Sequence, residues 1–312
     1  MYAPEKPYKK QILELIKQTW ETPYVSIEEG AYPVIKKKFS YLEVDHTDGI
    51  GTKGIYHWQQ GTFKEAVLDA LAMNLNDLAI VGAIPYKLQN HITVPEEDDR
   101  IVEIIKALSE ECQKRNIAIT GGENSFHDNS KGLDISITVG GFIKKLRSNE
   151  FKSYDLLIGI ESNGLHSNGF TKVREVFGKE ARDEFIKPTN IYLDTILALN
   201  EKFDIHGMMH ITGGAFTKLK DLLGNTDVLI SRSHQLKPQA IFYELYQKGI
   251  SDEEMYKTFN CGIGFILSVD PRDVKEILSE IKDFKAGIIG KIIPGSGKVK
   301  IESFFSNKEI TF

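Results

Sequence analysis

The chain carries only two cysteines among its 312 residues, Cys112 and Cys261, far apart and in unrelated contexts. That excludes a disulfide-stapled scaffold and fits free thiols in a reducing cytosol. No apolar run approaches the roughly 20 residues needed to span a bilayer. The start of the chain, Met1-Tyr2-Ala3-Pro4-Glu5-Lys6, lacks the apolar core of a signal peptide. An excess of positive charge is missing too: 39 Lys and Arg against 44 Asp and Glu leave a net charge of -5. A nucleic-acid binder usually presents a basic face instead, and short runs such as Lys36-Lys37-Lys38 and Lys144-Lys145 read as solvated surface. Three familiar motifs are missing: the G-x-x-x-x-G-K-[ST] P-loop, a G-x-G-x-x-G in a β-α-β setting and the G-x-S-x-G nucleophile elbow. The expectation is a cytoplasmic globular protein without nucleic-acid or membrane partners. If it handles nucleotide phosphates, it does so through another architecture.

What is present supports two folded units. A hydrophobic content of 41% allows sizeable cores, and the length favours two domains over one. Ile12, Leu13, Leu15 and Ile16 are spaced for a helix over 9–20. The apolar positions from Phe63 to Leu78 predict a long, mostly buried helix over 62–80, stopped by Gly82. Acidic residues at Pro95-Glu96-Glu97-Asp98-Asp99 open another helix to Lys114. Strands are expected at 41–46, 86–94, 117–119 and 133–143. The polar stretch Lys144 to Lys152 is the best boundary, giving domains 1–147 and 148–312. Beyond it lie a buried strand at 156–160, further strands at 228–230, 262–269, 286–293 and 298–301, and helices at 171–177, 191–202, 216–223, 238–248 and 271–281. Without a strict β-α-β beat, the pattern favours two α+β or mixed α/β domains over a Rossmann sheet.

Four polar constellations could carry chemistry. Asp48-Gly49-Ile50-Gly51-Thr52-Lys53 follows a strand. Asp48 could take a hard cation such as Mg²⁺, Gly49 and Gly51 allow tight turning, and Lys53 could meet phosphate oxygens; a bland turn is the competing reading. Asn74, Asn76 and Asp77 interrupt the long apolar helix, with Asn74 and Asp77 on one face. They form either an anchoring hydrogen-bond cluster or a second carboxylate for the cation. Gly121-Gly122-Glu123-Asn124-Ser125 reads as a polar turn after a buried strand, either a site or a connection. In the second half, Ser162-Asn163-Gly164-Leu165-His166-Ser167-Asn168-Gly169 could form an anion nest at a strand-to-helix junction. His206-Gly207-Met208-Met209-His210 invites a zinc reading, but it lacks the zincin Glu and any Cys ligand. His210-Ile211-Thr212-Gly213-Gly214 reads better as another strand-to-helix turn.

Taken in order, these segments resemble the phosphoribosylformylglycinamidine cyclo-ligases, also called aminoimidazole ribonucleotide synthetases. The resemblance rests on Thr47 to Lys53, Ala72 to Leu78 with Gly82-Ala83-Ile84-Pro85, Gly121-Gly122-Glu123, Ser162 to Phe170, His210 to Gly214 and Met255 to Gly264. It implies two domains, with N-terminal sheets pairing across a homodimer into a barrel-like interface and a C-terminal α/β sandwich. It also implies ATP and Mg²⁺, and closure of an imidazole ring in purine synthesis. By the same resemblance Asp48 and Asp77 would hold metal, and Gly49, Gly51, Thr52, Lys53, Asn76, Gly121, Gly122 and Glu123 would hold the nucleotide. Ser167, Asn168, Gly169, Thr212, Gly213 and Gly214 would meet the substrate, with Lys53, His166 and His210 in catalytic roles. The chain departs from the family pattern at Asn124 to Asn129, in its N-terminal region, and at Ala215, where a third glycine is usual. A related amidoligase, a small-molecule kinase or a non-catalytic nucleotide-binding homologue would share the same blocks.

Overall fold

The computed structural model describes residues 8–312, so the reading of Met1 to Lys6 as lacking a leader lies outside the described residues. Contacts divide the chain into two units. The first runs to Leu78 and resumes at Ala83–Lys144; the second comprises Ala79–Gly82 and Lys145–Phe312. Among the described residues no helix is long and apolar enough to cross a membrane.

The first unit runs α1 (Lys9–Lys17), β1 (Val25–Glu28), β2 (Val34–Lys37), β3 (Leu42–Gly49), α2 (Gly54–Gln60), α3 (Phe63–Ile80), β4 (Ala83–Val94), α4 (Arg100–Lys114), β5 (Ala118–Phe126) and β6 (Asp134–Ile143). Four strands form one sheet in the order β3-β6-β4-β5. Pairing is antiparallel except for β4 with β5, which α4 joins as a crossover. The core follows from periodicity. Leu88, Ile92 and Val94 of β4 and Ile135, Ile137 and Val139 of β6 are all buried, alternating with polar residues on the other sheet face. α4 buries Ile101, Ile104, Ile105, Leu108 and Cys112, one helical stripe. α3 buries residues around most of its circumference, from Phe63 to Ala79, as an interior helix does. Gly82, with φ +66, then turns the chain into β4.

Two expectations change here. Gly121 to Ser125 is not a turn: β5 continues through it, pairing Gly121 with Gln89 and Ser125 with Thr93. Gly122 serves close packing, since a Cβ there would lie 2.5 Å from Asn90 Oδ1. The antiparallel hairpin of β1 and β2 is new. Every residue of β2 is exposed, so it lacks the apolar alternation that marks a strand in sequence. Val25 and Ile27 of β1 pin the hairpin to Tyr86, Ala118 and Phe142, with Phe39 stacked on Phe142 at 4.3 Å.

The second unit runs β7 (Leu156–Glu161), α5 (Phe170–Phe177), α6 (Asp183–Ile186), α7 (Leu193–Lys202), β8 (Gly207–His210), a 3-10 helix (Ala215–Leu222), β9 (Thr226–Ile230), α8 (Ala240–Gln247), α9 (Asp252–Thr258), β10 (Ile263–Val269), α10 (Val274–Glu280), β11 (Ala286–Pro294), β12 (Val299–Glu302) and β13 (Glu309–Thr311). Its seven-stranded sheet has the order β13-β12-β9-β11-β7-β10-β8. Only β12 and β9 pair in parallel. β10 is buried at every position, Ile263 to Val269, and reads in sequence as a continuous apolar run. The fold class is mixed α/β in two units.

Candidate functional site

In the first unit Asp48 ends β3 and Asp77 projects from α3, and one histidine links them. His46, two residues before Asp48 on the same strand face, reaches Asp77 Oδ2 from Nε2 at 3.3 Å. Its Nδ1 lies 3.0 Å from Asn74 Oδ1. Asn74 in turn donates to the carbonyl of Asp48 at 3.1 Å and to Ala70 O at 2.9 Å. Asp48 Oδ1 accepts the Gly49 amide at 2.7 Å, which fixes the carboxylate at the lip of the turn. Asn74 is therefore the anchor, and Asp77 keeps a side chain 20% exposed. Among the described residues no group of three or more His, Cys, Asp or Glu is arranged to hold a metal. This corner offers carboxylate oxygens, the hard donors that Mg²⁺ takes when phosphates and water complete its shell.

The hydrogen bond to Asp77 raises the pKa of His46; burial opposes the shift, while the hydrogen bond to Asn74 and the charges of Asp77 and Asp48 add to it. A raised folded-state pKa means that the pair's stabilisation is complete below the unfolded value of about 6.5 and fades as pH rises through the folded value. The expected result for His46→Gln is a loss of thermal stability at pH 6 that shrinks at pH 9, read by melting curves. A loss independent of pH would contradict the pairing.

Lys53 requires a correction. The lysine is fully buried, and its Nζ contacts Asp69 Oδ2 at 2.7 Å. His57 Nε2 donates to the same oxygen at 2.9 Å, and His57 Nδ1 lies 2.7 Å from Thr62 Oγ1. Burial pushes the Asp69 carboxyl up, but the Lys53 charge and the His57 hydrogen bond outweigh it and hold the group well below the usual range. Lys53 thus ties the turn to α3 rather than meeting phosphates. Gly51 (φ +56) and Thr52 remain exposed. Asn76 is also corrected: it is fully buried on the core side of α3.

On the open face of the four-stranded sheet lies a cavity of about 730 Å³. Gln89 and His91 of β4, Ser136 and Thr138 of β6, Thr47 of β3 and Gly121 to Glu123 of β5 form its floor, under Tyr32 and Pro33 from the hairpin turn. Glu123 is exposed there, its Oε1 accepting the Asn124 amide at 3.0 Å. A smaller, more apolar cavity of about 210 Å³ adjoins it through Asn90, Gly121, Gly122 and Pro33, and is lined by Ile12, Ile16, Trp20 and Ile105. Asn90 borders both cavities, is 6% exposed, and its Oδ1 has no hydrogen-bond partner. A buried amide oxygen left without a donor is costly, and nothing in the sequence singles out Asn90.

In the second unit three motif loops meet. Ser162 Oγ donates to Asn260 Oδ1 at 2.7 Å, and Asn260 Nδ2 donates to Gly164 O at 2.8 Å. Ile211 N bonds Gly264 O at 2.9 Å, bringing the 210–214 loop alongside. His166 (φ 59), Ala215 (φ 40) and Cys261 (φ 47) all hold left-handed backbone in these loops, a strained state for non-glycine residues. The structure corrects the roles of both histidines. His166 is 1% and His210 0% exposed. Their rings flank Tyr192, each centroid 6.3 Å from it, and His210 stacks on Phe265. They brace the loops from beneath, and His210, on strand β8, is no zinc partner for His206, whose Nδ1 pairs with Asp155 at 2.7 Å. Gly169 (φ +76) starts α5 against the Phe259 ring. Facing outward are half-buried Ser167, bonded to Thr189 at 2.8 Å, half-buried Asn168, and exposed Gly213 and Gly214. Thr212 is buried and accepts a hydrogen bond from Lys218 at 3.1 Å.

Fold and loops together define a family. Residues 38–143 match the family model of the AIR synthase related protein N-terminal domain, and residues 153–302 match that of its C-terminal domain. The chain belongs to the AIR synthase related family. The phosphoribosylformylglycinamidine cyclo-ligase of Saccharolobus solfataricus is 34% identical over 300 residues, spanning 93% of this chain and 90% of that one. Among solved structures, thiamine-monophosphate kinase from Stenotrophomonas maltophilia shares the fold with a TM-score of 0.71 at 18% identity, over 98% of this chain and 99% of that one. The hydrogenase maturation protein HypE, in complex with ATP, does so with a TM-score of 0.70 at 13% identity, over 99% and 95%.

Proposed function

We propose that this protein is an ATP-dependent carbon–nitrogen ligase that closes the imidazole ring of formylglycinamidine ribonucleotide to give aminoimidazole ribonucleotide in purine biosynthesis. The observation that carries this reading is the 34% identity to a named cyclo-ligase over nearly the full length of both chains. The reaction activates the amide oxygen by phosphorylation, lets a nitrogen attack the activated carbon, and releases phosphate. Such chemistry is mostly positioning and charge neutralisation. Asp48 and Asp77 would hold Mg²⁺, which when bound neutralises phosphate charge. Gly49, Gly51 and Thr52 lie at the same corner and fit the phosphate end of ATP. Thr47, next to Asp48 on β3, lines the larger of the two cavities described above, and these cavities would take its nucleoside. The unpartnered Asn90 Oδ1 matches an exocyclic amine, and Gly121, Gly122 and Glu123 form one wall. Ser167, Asn168, Gly169, Thr212, Gly213 and Gly214 form the ribonucleotide side. HypE, which shares the fold, has been crystallised with ATP, in keeping with nucleotide binding.

A second copy of the chain is the partner that β3 fits. This edge strand pairs only with β6 in its sheet, and its first residue Leu42 and the preceding Tyr41 are 63% and 49% exposed. Exposed apolar edges are usually covered. The wild type is expected to be a dimer by light scattering and Leu42→Glu a monomer; a monomeric wild type would contradict the pairing. The activity itself is tested with purified protein, formylglycinamidine ribonucleotide and Mg-ATP. One ADP should form per ring closed, and ATP consumption only with some other acceptor would overturn the reading.

A further inference from the structure

Lys218 is a cation in the second unit beside the 210–214 loop. It is half-buried on the 3-10 helix, and among the described residues no carboxylate lies within ion-pair distance of it. Its Nζ donates to Thr212 Oγ1 at 3.1 Å. The side chain runs across the glycine pair, since a Cβ on Gly214 would lie 3.2 Å from Lys218 Cγ. On the other flank stands Asn168, whose Oδ1 is 3.4 Å from the equivalent point on Gly213 and whose buried Nδ2 has no hydrogen-bond partner. Among the described residues nothing accepts the backbone amides of Gly213 and Gly214 either. Gly214 adopts φ +80, a conformation in which successive amides can converge. Donors therefore outnumber acceptors here: an ammonium that bonds Thr212, a side-chain amide and two backbone amides.

We propose that Lys218, with Asn168 and the Gly213–Gly214 amides, binds a phosphate monoester dianion, the 5′-phosphate of the ribonucleotide substrate. This rests on the cyclo-ligase reading for the identity of the substrate but not for the anion chemistry. A dianion supplies the acceptors that these donors lack, and charge-assisted hydrogen bonds to phosphate are the strong kind. A transferred or released phosphate shares this chemistry, so the test separates the sources.

In the test, Lys218→Gln and Lys218→Arg are compared with wild type, varying ribonucleotide at saturating Mg-ATP and then the reverse. Lys218→Gln should raise the KM for the ribonucleotide about 10- to 100-fold with little change in the KM for ATP, and Lys218→Arg should restore most of the loss. The dephosphorylated nucleoside, a poorer substrate, should not distinguish the variants. A rise in the KM for ATP instead assigns Lys218 to the transferred phosphate and overturns the proposal, as do unchanged constants. Ribose 5-phosphate titrated by calorimetry gives a readout free of turnover. Binding that weakens in Lys218→Gln supports the anion site even if the wild type fails to close the ring, a failure that would overturn only the cyclo-ligase reading. Binding indifferent to Lys218 overturns the anion site.

Discussion

Asp69→Asn is expected to destabilise the protein by about 3–5 kcal/mol, read from urea unfolding of the first unit. The cause is what remains. Lys53 and Asp69 both have fully buried side chains, and removing the carboxylate strands an ammonium in the core. Keeping a lone charge out of water costs far more than a surface pair returns. The contribution is present above the unfolded carboxylate pKa of about 4 and is lost as pH falls through the depressed folded value. The wild-type advantage should therefore fade in strong acid. Replacing Lys53 by Met in the same chain should recover much of the loss, because Met beside Asn leaves no buried charge behind. A change below about 1 kcal/mol, the scale of an exposed pair, would contradict the buried assignment.

Asp48→Asn should act on function instead. A drop of about 100- to 1000-fold in kcat/KM for Mg-ATP is expected, with an unchanged unfolding midpoint. Asparagine keeps an Oδ1 to accept the Gly49 amide, so the turn retains the 2.7 Å hydrogen bond that shapes it. What is lost is the negative charge offered to a cation. Asp77→Asn should act in the same direction, and the double substitution should cost less than the sum, as expected of groups serving one ion. A defect confined to the KM for the ribonucleotide would move Asp48 away from the nucleotide.

The family and the mixed α/β class were legible because motif blocks and apolar periods are local signals. Positions from Phe63 to Leu78 mark α3 without help from anywhere else. Long-range pairing was not legible. Lys53 follows Gly-Ile-Gly-Thr, as a phosphate-binding lysine could, yet its partner Asp69 lies in the next long helix, on a face that only packing reveals. Gly121 and Gly122 look like a turn, but they continue a strand, and the absent side chain of Gly122 makes room for Asn90 on the neighbouring strand. His166 and His210 carry reactive groups, and Tyr192 and Phe265 enclose them. His46, Asn90 and Lys218 were missed for the complementary reason. Each is ordinary in sequence and matters only through which surface it reaches.

The most direct test follows one oxygen atom. If ring closure proceeds by phosphorylation of the amide, the amide oxygen must leave with the phosphate. Formylglycinamidine ribonucleotide labelled with ¹⁸O at that position is incubated with the protein and Mg-ATP, and the released phosphate is analysed by mass spectrometry. The account predicts one labelled oxygen in each phosphate formed, matching the ring closed. Unlabelled phosphate, or ATP cleavage without ring closure by folded protein, would contradict it.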